Sequence, residues 1–513
     1  MSAQIQTMTE EITAPAAAAA PDAPNARKRV GIATHYLRYA AGNVLVMLAG
    51  FVSFPVMTRL LDTSQYGIFG YYDAWLLILA GVFKLGAQHT ILRFYPHAGG
   101  APALARFGAN CILLPFVGSS ALWLLAVAAY ALIVSVAPPE ATGVGWIMLL
   151  LLLPTIWISY ANAFAYAEER SGTSVLISVG QRWCETVSIL AVVVLIERST
   201  LGVYLARFAV AAAFALGLTV WLRRQLPMRP RDIDMKQYRE GLRYGLPLVA
   251  NEIATTVLAF ADRLMLRQML VDFTAVGVYT IGYGLALNIN NLFNLALYNA
   301  YTQVSMREYE TRGAEAVVRM KRAVLRILIY VCVAMIVGLV TVGADALLLM
   351  AGRNKTSSVP IFVLIGVVYT LDGLFGVCGS GLLLLKRSRT VLLLTLAAAL
   401  FNVALNLVMI PWLGVYGAAC STLASFIVLN VARYATCPRE LRALPDVHAT
   451  LTAVGLGALC VFVAHNALLV QLDSHLARIL AMLLLMLVMY VLPALALDAR
   501  LRAQIFHRRQ SSS

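Results

Sequence analysis

The sequence predicts an all-α polytopic membrane protein, and three observations carry that class. The chain of 513 residues is 60% hydrophobic and only 13% charged, about half the charge of an ordinary soluble domain. Its mean hydropathy is +0.78. Apolar runs of about 20 residues, enough to cross about 30 Å of hydrocarbon as a helix, recur along nearly the whole chain. Lipid offers backbone groups no partners, and the runs lack the alternation of barrel strands, so they must be helical. An ordinary cytosolic enzyme, a disordered chain and a disulfide scaffold are excluded. The seven cysteines lie far apart, in or beside apolar runs, with no zinc or redox spacing.

Residues 1–34 read as a disordered cytoplasmic tail. Ala16 to Ala20 between Pro15 and Pro21 has no packing period, and Glu10, Glu11 and Asp22 break any signal-peptide pattern. About fourteen spans follow. Six form a first bundle within 35–222, at 36–58, 68–91, 108–136, 144–166, 173–196 and 201–222. A basic cytoplasmic linker, 223–243, leads to a second bundle within 244–437, with spans at 244–266, 276–300, 325–350, 360–385, 390–411 and 414–436. Two additional helices, 449–470 and 476–497, occupy 438–497, and 498–513 is a cytoplasmic tail. The charged stretch Met306 to Arg326 is expected to lie along the inner surface as a helix.

The net charge of +15 is assigned to topology rather than to nucleic acid, because basic residues stay on the cytoplasmic side. One set of alternating segments holds Arg27, Lys28, Arg29 and Arg38, Arg93, Arg106, Arg170, the runs Arg223 to Arg243 and Arg307 to Arg326, Lys386, Arg387, Arg389, and the C-terminal arginines. The other set holds Arg59, Arg198, Arg263, Arg267, Arg353, Lys355 and Arg478. The bias, roughly four to one, places both termini in the cytoplasm.

A weak internal repeat is present. Leu37-Arg38-Tyr39 opens the first span and Leu242-Arg243-Tyr244 the seventh. Tyr66-Gly67-Ile68-Phe69 opens the second, and Val276-Gly277-Val278-Tyr279 the eighth. Six spans per unit is an even number, so both units keep one orientation. That arrangement gives two bundles about an axis along the membrane normal, with a cleft between them.

Several chemistries are missing. There is no GxxxxGK[ST] and no HExxH or Cys/His cluster, so no ATP site, metal or cofactor is expected. Asp232-Ile233-Asp234 matches a D-x-D pattern but sits in a short loop with no domain to shape a site. The informative residues are ionisable groups at membrane depth, which are costly there and by default face a cavity. Lys84, Arg182 and Arg207 are the candidate cations. Lys84 and Arg207 also fit snorkelling to an interface, and Arg182 also fits a structural pair with Glu185. Asn291 and Asn294, in the amide-rich eighth span, are candidates for sugar contact, although interhelical hydrogen bonding fits them too. Asp372, Glu252 and Asp262 are candidate ion-coupling carboxylates. Asp372 also fits a structural aspartate, and Asp262-Arg263 a plain interfacial pair. A cationic, amide-lined cleft suits an anionic headgroup.

These residues resemble a known family. Thr58-Arg59-Leu60-Leu61, Gln65-Tyr66-Gly67-Ile68-Phe69, then Leu85-Gly86 and Arg93 look like the first outer loop and second span of polysaccharide-repeat flippases. Asp262-Arg263 with Val276-Gly277-Val278-Tyr279 is similar to the counterpart in the second bundle. Asn402, Asn406, Pro411 and Gly414 to Ala419 are similar to the hairpin of spans eleven and twelve. The resemblance covers about 35–440. It implies membership of the multidrug/oligosaccharidyl-lipid/polysaccharide exporter superfamily, with a fourteen-helix architecture. It implies a flippase, not an enzyme, moving undecaprenyl-diphosphate-linked oligosaccharide (an O-antigen, capsule or exopolysaccharide repeat) across a bacterial inner membrane by alternating access. Relatives couple to protons or sodium, and for this chain a proton, sodium or no coupling ion all fit; a polysaccharide polymerase and chain-length or export machinery come with the resemblance as partners. The alternatives are a lipid II flippase, a drug/cation antiporter, or a membrane-embedded polymerase.

Overall fold

The structure is a computed structural model that describes residues 32–96, 100–291, 296–385, 387–468 and 472–506. Nearly all of the expected N-terminal tail, Asn294, Lys386 and the end of the C-terminal tail lie outside those residues. The first half comprises α1 (Ile32–Leu60), α2 (Thr63–Phe83), α3 (Ala101–Val136), α4 (Thr142–Ala167), α5 (Ser171–Leu195) and α6 (Thr200–Gln225). The second begins with α7 (Met235–Leu270), which takes in half of the expected linker, and α8 (Phe273–Asn290). A helical stretch, Ala296–Ala351, is divided at Gly313, where φ is 76° and ψ −171°. The part beyond that glycine, 314–351, is α9. Next come α10 (Val359–Cys378), α11 (Ser388–Leu413), α12 (Val415–Thr436), α13 (Val447–Val463) and α14 (His475–Leu497).

Thirteen of these helices are long and apolar enough to cross a membrane. The fourteenth, α8, falls short because Asn288 and Asn290 lower its hydropathy. It is nevertheless deeply packed, with Val276, Tyr279, Ile281 and Tyr283 buried, and its Asn288 and Asn290 are half-buried.

The two halves repeat one packing scheme. In the first, α1 packs on α5, α4 on α6 and α5 on α6; in the second, α7 packs on α11, α10 on α12 and α11 on α12. The seam between them is α2 against α8 and α7. Asp62 caps the start of α2 by accepting from the Gln65 amide at 2.7 Å, and Asp272 caps α8 by accepting from the Thr274 amide at 2.7 Å. A Cβ on Gly67 would lie 1.8 Å from the Phe273 carbonyl oxygen, and one on Gly277 would lie 1.8 Å from the Thr63 carbonyl oxygen. Each glycine thus touches the first residue of the other's helix, as a two-fold axis requires. The repeated Gly67 and Gly277 of the sequence are there because two helix backbones cross in contact.

Two expectations change. The second span stops at Phe83, and Lys84 caps its end instead of lying inside it. Leu85 and Gly86 then turn through left-handed backbone (φ 52° and 73°) into a short helix, Ala87–Phe94. Only glycine fits the second turn position, since a Cβ on Gly86 would meet the Gly245 backbone of α7 at 2.7 Å. The stretch Met306 to Arg326 is not one surface helix. Gly313 breaks it, and its second part opens α9 with Val317, Lys321 and Leu325 buried. The Lys321 ammonium donates to the carbonyls of Leu441 (2.7 Å) and Cys378 (3.3 Å), capping the end of α10 with a cation. Helices α13 and α14 pack on α9, outside the seam.

Candidate functional site

Between the halves lies a cavity of about 310 Å³ with walls from α1, α2, α5, α6, α7 and α8. Its charged lining is Asp73, Arg182, Glu185, Arg207 and Arg263, joined by Asn288 and Thr280. Arg207 on α6 is held from two sides. Its Nη1 donates to Asp73 of α2 at 2.8 Å, and its Nε to Glu185 of α5 at 2.7 Å. The rings of Tyr204 and Phe69 flank the guanidinium at 5.3 and 5.7 Å. Arg182 is freer. Its side chain is 41% exposed, and its closest carboxylate oxygen, on Glu185, is 3.9 Å away. Arg263 on α7 lies between the rings of Tyr283 and Phe260, at 4.5 and 4.7 Å, and donates to the Ala259 carbonyl at 3.3 Å. It forms no ion pair among the described residues. Three guanidiniums against two carboxylates leave the cavity with one positive charge in excess. Thr280 also offers a buried hydroxyl with no hydrogen-bond partner there.

Arg182 and Arg207 therefore meet in one cavity. Lys84 does not line it. Its ammonium is 3.6 Å from Glu252 of α7, which also accepts from Gln88 at 2.5 Å and lies 3.7 Å from His89. Lys84 and Glu252 thus tie the halves together toward the side carrying most of the basic residues. Asn291 caps α8, half-buried and off the cavity lining, whereas Asn288 is on it. Asn294 lies outside the described residues. Asp262 faces away from the cavity into a knot of four helices, accepting from Tyr279 (2.5 Å), Asn406 (2.6 Å) and Thr422 (2.7 Å). Asn402 continues the knot by accepting from Asn406 at 3.1 Å. Asp372 sits on the flank of the second half, 3.6 Å from Arg433 and accepting from Asn430 at 2.9 Å.

Sequence reasoning missed Asp73 and the cavity role of Arg263. An aspartate in the middle of the apolar α2 was a legible signal of an internal partner. Arg263 was not legible, because its distance from a helix end says nothing about which way it faces.

On the opposite side the halves are latched by cations on helix ends. Arg59, at the end of α1, donates to the Met350 carbonyl at 3.2 Å and to that of Leu349. Lys355 reaches back to the Thr63 hydroxyl at 2.9 Å and the Leu61 carbonyl at 3.4 Å. Each places positive charge on the carbonyl end of a helix in the other half, where the dipole favours it. Arg267 and Glu140 add an ion pair of 2.9 Å across the same seam.

Two pseudo-symmetric helical halves around a polar cavity define a class, and the fold comparisons fall within it. A solved structure of the lipid II flippase MurJ, in an inward closed conformation, superposes with a TM-score of 0.69 at 14% identity, covering 91% of this chain and 99% of that one. An inward-facing multidrug resistance transporter of the MATE family, MOP superfamily, gives 0.63 at 15% identity, covering 78% and 96%. A MOP superfamily transporter from Pyrococcus furiosus, described as having a binding pocket of reversed polarity, gives 0.52 at 13% identity, covering 84% and 96%. No curated protein matches by sequence. The family model for "Polysaccharide biosynthesis protein" matches residues 35–301, just over half of the chain. The chain belongs to that family.

Proposed function

We propose that the protein is a flippase that carries polyprenyl-diphosphate-linked oligosaccharide repeat units from the cytoplasmic to the outer leaflet by alternating access. One observation carries the reading: a cavity between the halves, at membrane depth, with more guanidinium than carboxylate. Arg207 is neutralised by Asp73 and Glu185, so Arg182 and Arg263 are the cations left to hold a diphosphate. Asn288 and the Thr280 hydroxyl offer polar contacts to its sugars. The polyprenyl tail stays in lipid.

The ties on the two sides supply the gates. The latches of Arg59, Lys355 and Arg267 must break for outward release, while the Lys84–Glu252 tie closes one seam on the cytoplasmic side. A membrane potential, negative inside, favours outward movement of an anionic head by about 2.3 kcal/mol per charge per 100 mV. Asp262 is the preferred coupling carboxylate, because it alone joins α7, α8, α11 and α12; Asp372 and Glu252 are already paired with cations.

Cells lacking the protein should accumulate lipid-linked repeat units on the cytoplasmic leaflet, and Arg182→Ala and Arg263→Ala should reproduce this while the protein still reaches the membrane. Normal surface polysaccharide in the deletion strain, with no redundant exporter, would overturn the reading. The likeness to MurJ keeps a lipid II flippase as the alternative, decided by which lipid-linked intermediate accumulates. A drug/cation antiporter fits less well, since a cationic drug would meet excess positive charge.

A further inference from the structure

The repeat extends to two lipid-facing grooves, one on the flank of each half, that do not belong to the central cavity. In the first half the groove of about 840 Å³ runs between α4 and α6, with Leu113 and Phe116 of α3 at its side, and ends under the segment after α6. In the second it runs between α10 and α12 and ends at Leu444. Phe208, Ala212, Leu216 and Thr219 on one wall correspond in register to Leu423, Ile427, Val431 and Tyr434 on the other.

The polar ends differ. The second groove has its own acid, Asp372, which answers Arg433; the register puts Ala161 at the matching place in the first half. The first groove instead ends in two exposed arginines, Arg223 and Arg229, which form no ion pair among the described residues. Leu444 stands where Arg229 would repeat. The first groove also has a tryptophan in its wall. Trp157, only 8% exposed, forms part of its wall, and the indole N–H has no hydrogen-bond partner. Its indole N–H is closed off from the groove, with the Phe116 ring packed against the indole at 4.6 Å, so Trp157 offers the groove its ring and not its donor.

We propose that the groove between α4 and α6 is a binding site for an anionic phospholipid of the cytoplasmic leaflet. The phosphate sits at Arg223 and Arg229, and one acyl chain lies along Ala212 and Phe208, past the Trp157 ring. Edge-to-face contact of Phe164 with Trp221 at 5.7 Å sets α4 and α6 in register and brings Trp157 level with Phe214. That level is about 13 Å along the axis from Arg223, at 1.5 Å per residue. The upper part of an acyl chain below a phosphate at Arg223 spans that length. The groove of the second half takes no anionic head, because its lining holds an acid, Asp372, and no cation.

The test uses the full chain in phosphatidylcholine vesicles with increasing fractions of phosphatidylglycerol brominated on its acyl chains, against brominated phosphatidylcholine as the neutral probe. The Trp157 signal is the difference between the parent and Trp157→Phe. The site requires that brominated phosphatidylglycerol quench this signal at about tenfold lower mole fraction than the neutral probe. The double variant Arg223→Gln/Arg229→Gln should bring the two probes together, with protein level and melting unchanged because both side chains are exposed and unpaired. Equal quenching by both probes in the parent, or an anionic preference that survives in the double variant, would overturn the proposal.

Discussion

The reciprocal contact of Gly67 and Gly277 makes a demanding prediction. A methyl group at either position would fall 1.8 Å from a carbonyl oxygen at the start of the opposite helix. Ordinary contact needs the backbones of α2 and α8 to part there by about 1.5 Å, and overpacking of a tight contact costs about 1–3 kcal/mol. That penalty falls on the seam latched by Arg59, Lys355 and Arg267. Each alanine should therefore shift the balance away from the state closed on that side, by about 30-fold for 2 kcal/mol. The two effects should be equal, because an axis relates the sites. They should also be less than additive, since helices parted by the first methyl make room for the second. The assay is labelling of Ser53→Cys, on the cavity wall, by a membrane-impermeant thiol reagent added from outside, in a chain without the exposed Cys184 and Cys420. Gly67→Ala and Gly277→Ala should each raise the labelling rate. Parent-like labelling and melting in both, a strong effect in one with none in the other, or full additivity in the pair would refute the two-fold seam as the outer gate.

Arg207→Ala leaves Asp73 and Glu185 without their partner and should cost about 3–5 kcal/mol, seen as loss of folded protein from membranes. Arg182→Ala breaks one long, exposed contact and should change stability by less than about 1 kcal/mol while export of repeat units falls. Lys84→Glu should impair export and Lys84→Glu/Glu252→Lys should restore it; a double variant as poor as the single one would deny the tie a role. Asp262→Asn should remove any dependence of transport on a proton or sodium gradient while the protein still binds the diphosphate head, and an unchanged gradient response would reject Asp262 as the coupling group. Asp498 lies just past α14. Burial opposes its ionisation, but the Leu501 amide, Arg326 at 2.8 Å and Tyr330 at 3.2 Å outweigh this and hold its carboxyl below the usual carboxylate range. A depressed value in the folded state gives stability that is present above the ordinary carboxylate pKa of about 4 and is lost as pH falls through the depressed one. Thermal melting should thus drop with acid in this window, and Asp498→Asn should flatten that part of the profile.

What the sequence determined by itself was the class, the approximate number of spans and the existence of a repeat, because hydrocarbon leaves a chain few choices: backbone groups must pair within each span, and about twenty apolar residues are the length required. It also pointed to Arg182 and Arg207, since a charge at membrane depth has to have an interior to face. Tertiary structure alone decided the direction of each side chain. A helix turns through 100° per residue, so one position separates the knot around Asp262 from the cavity that Arg263 enters. Tertiary structure moved Lys84 from cavity candidate to a tie with Glu252, brought Asp73 to Arg207 across 134 residues, and gave the repeated glycines their reason. Partners far apart in the chain, and the face a residue shows, follow from how helices pack, and no local pattern encodes that.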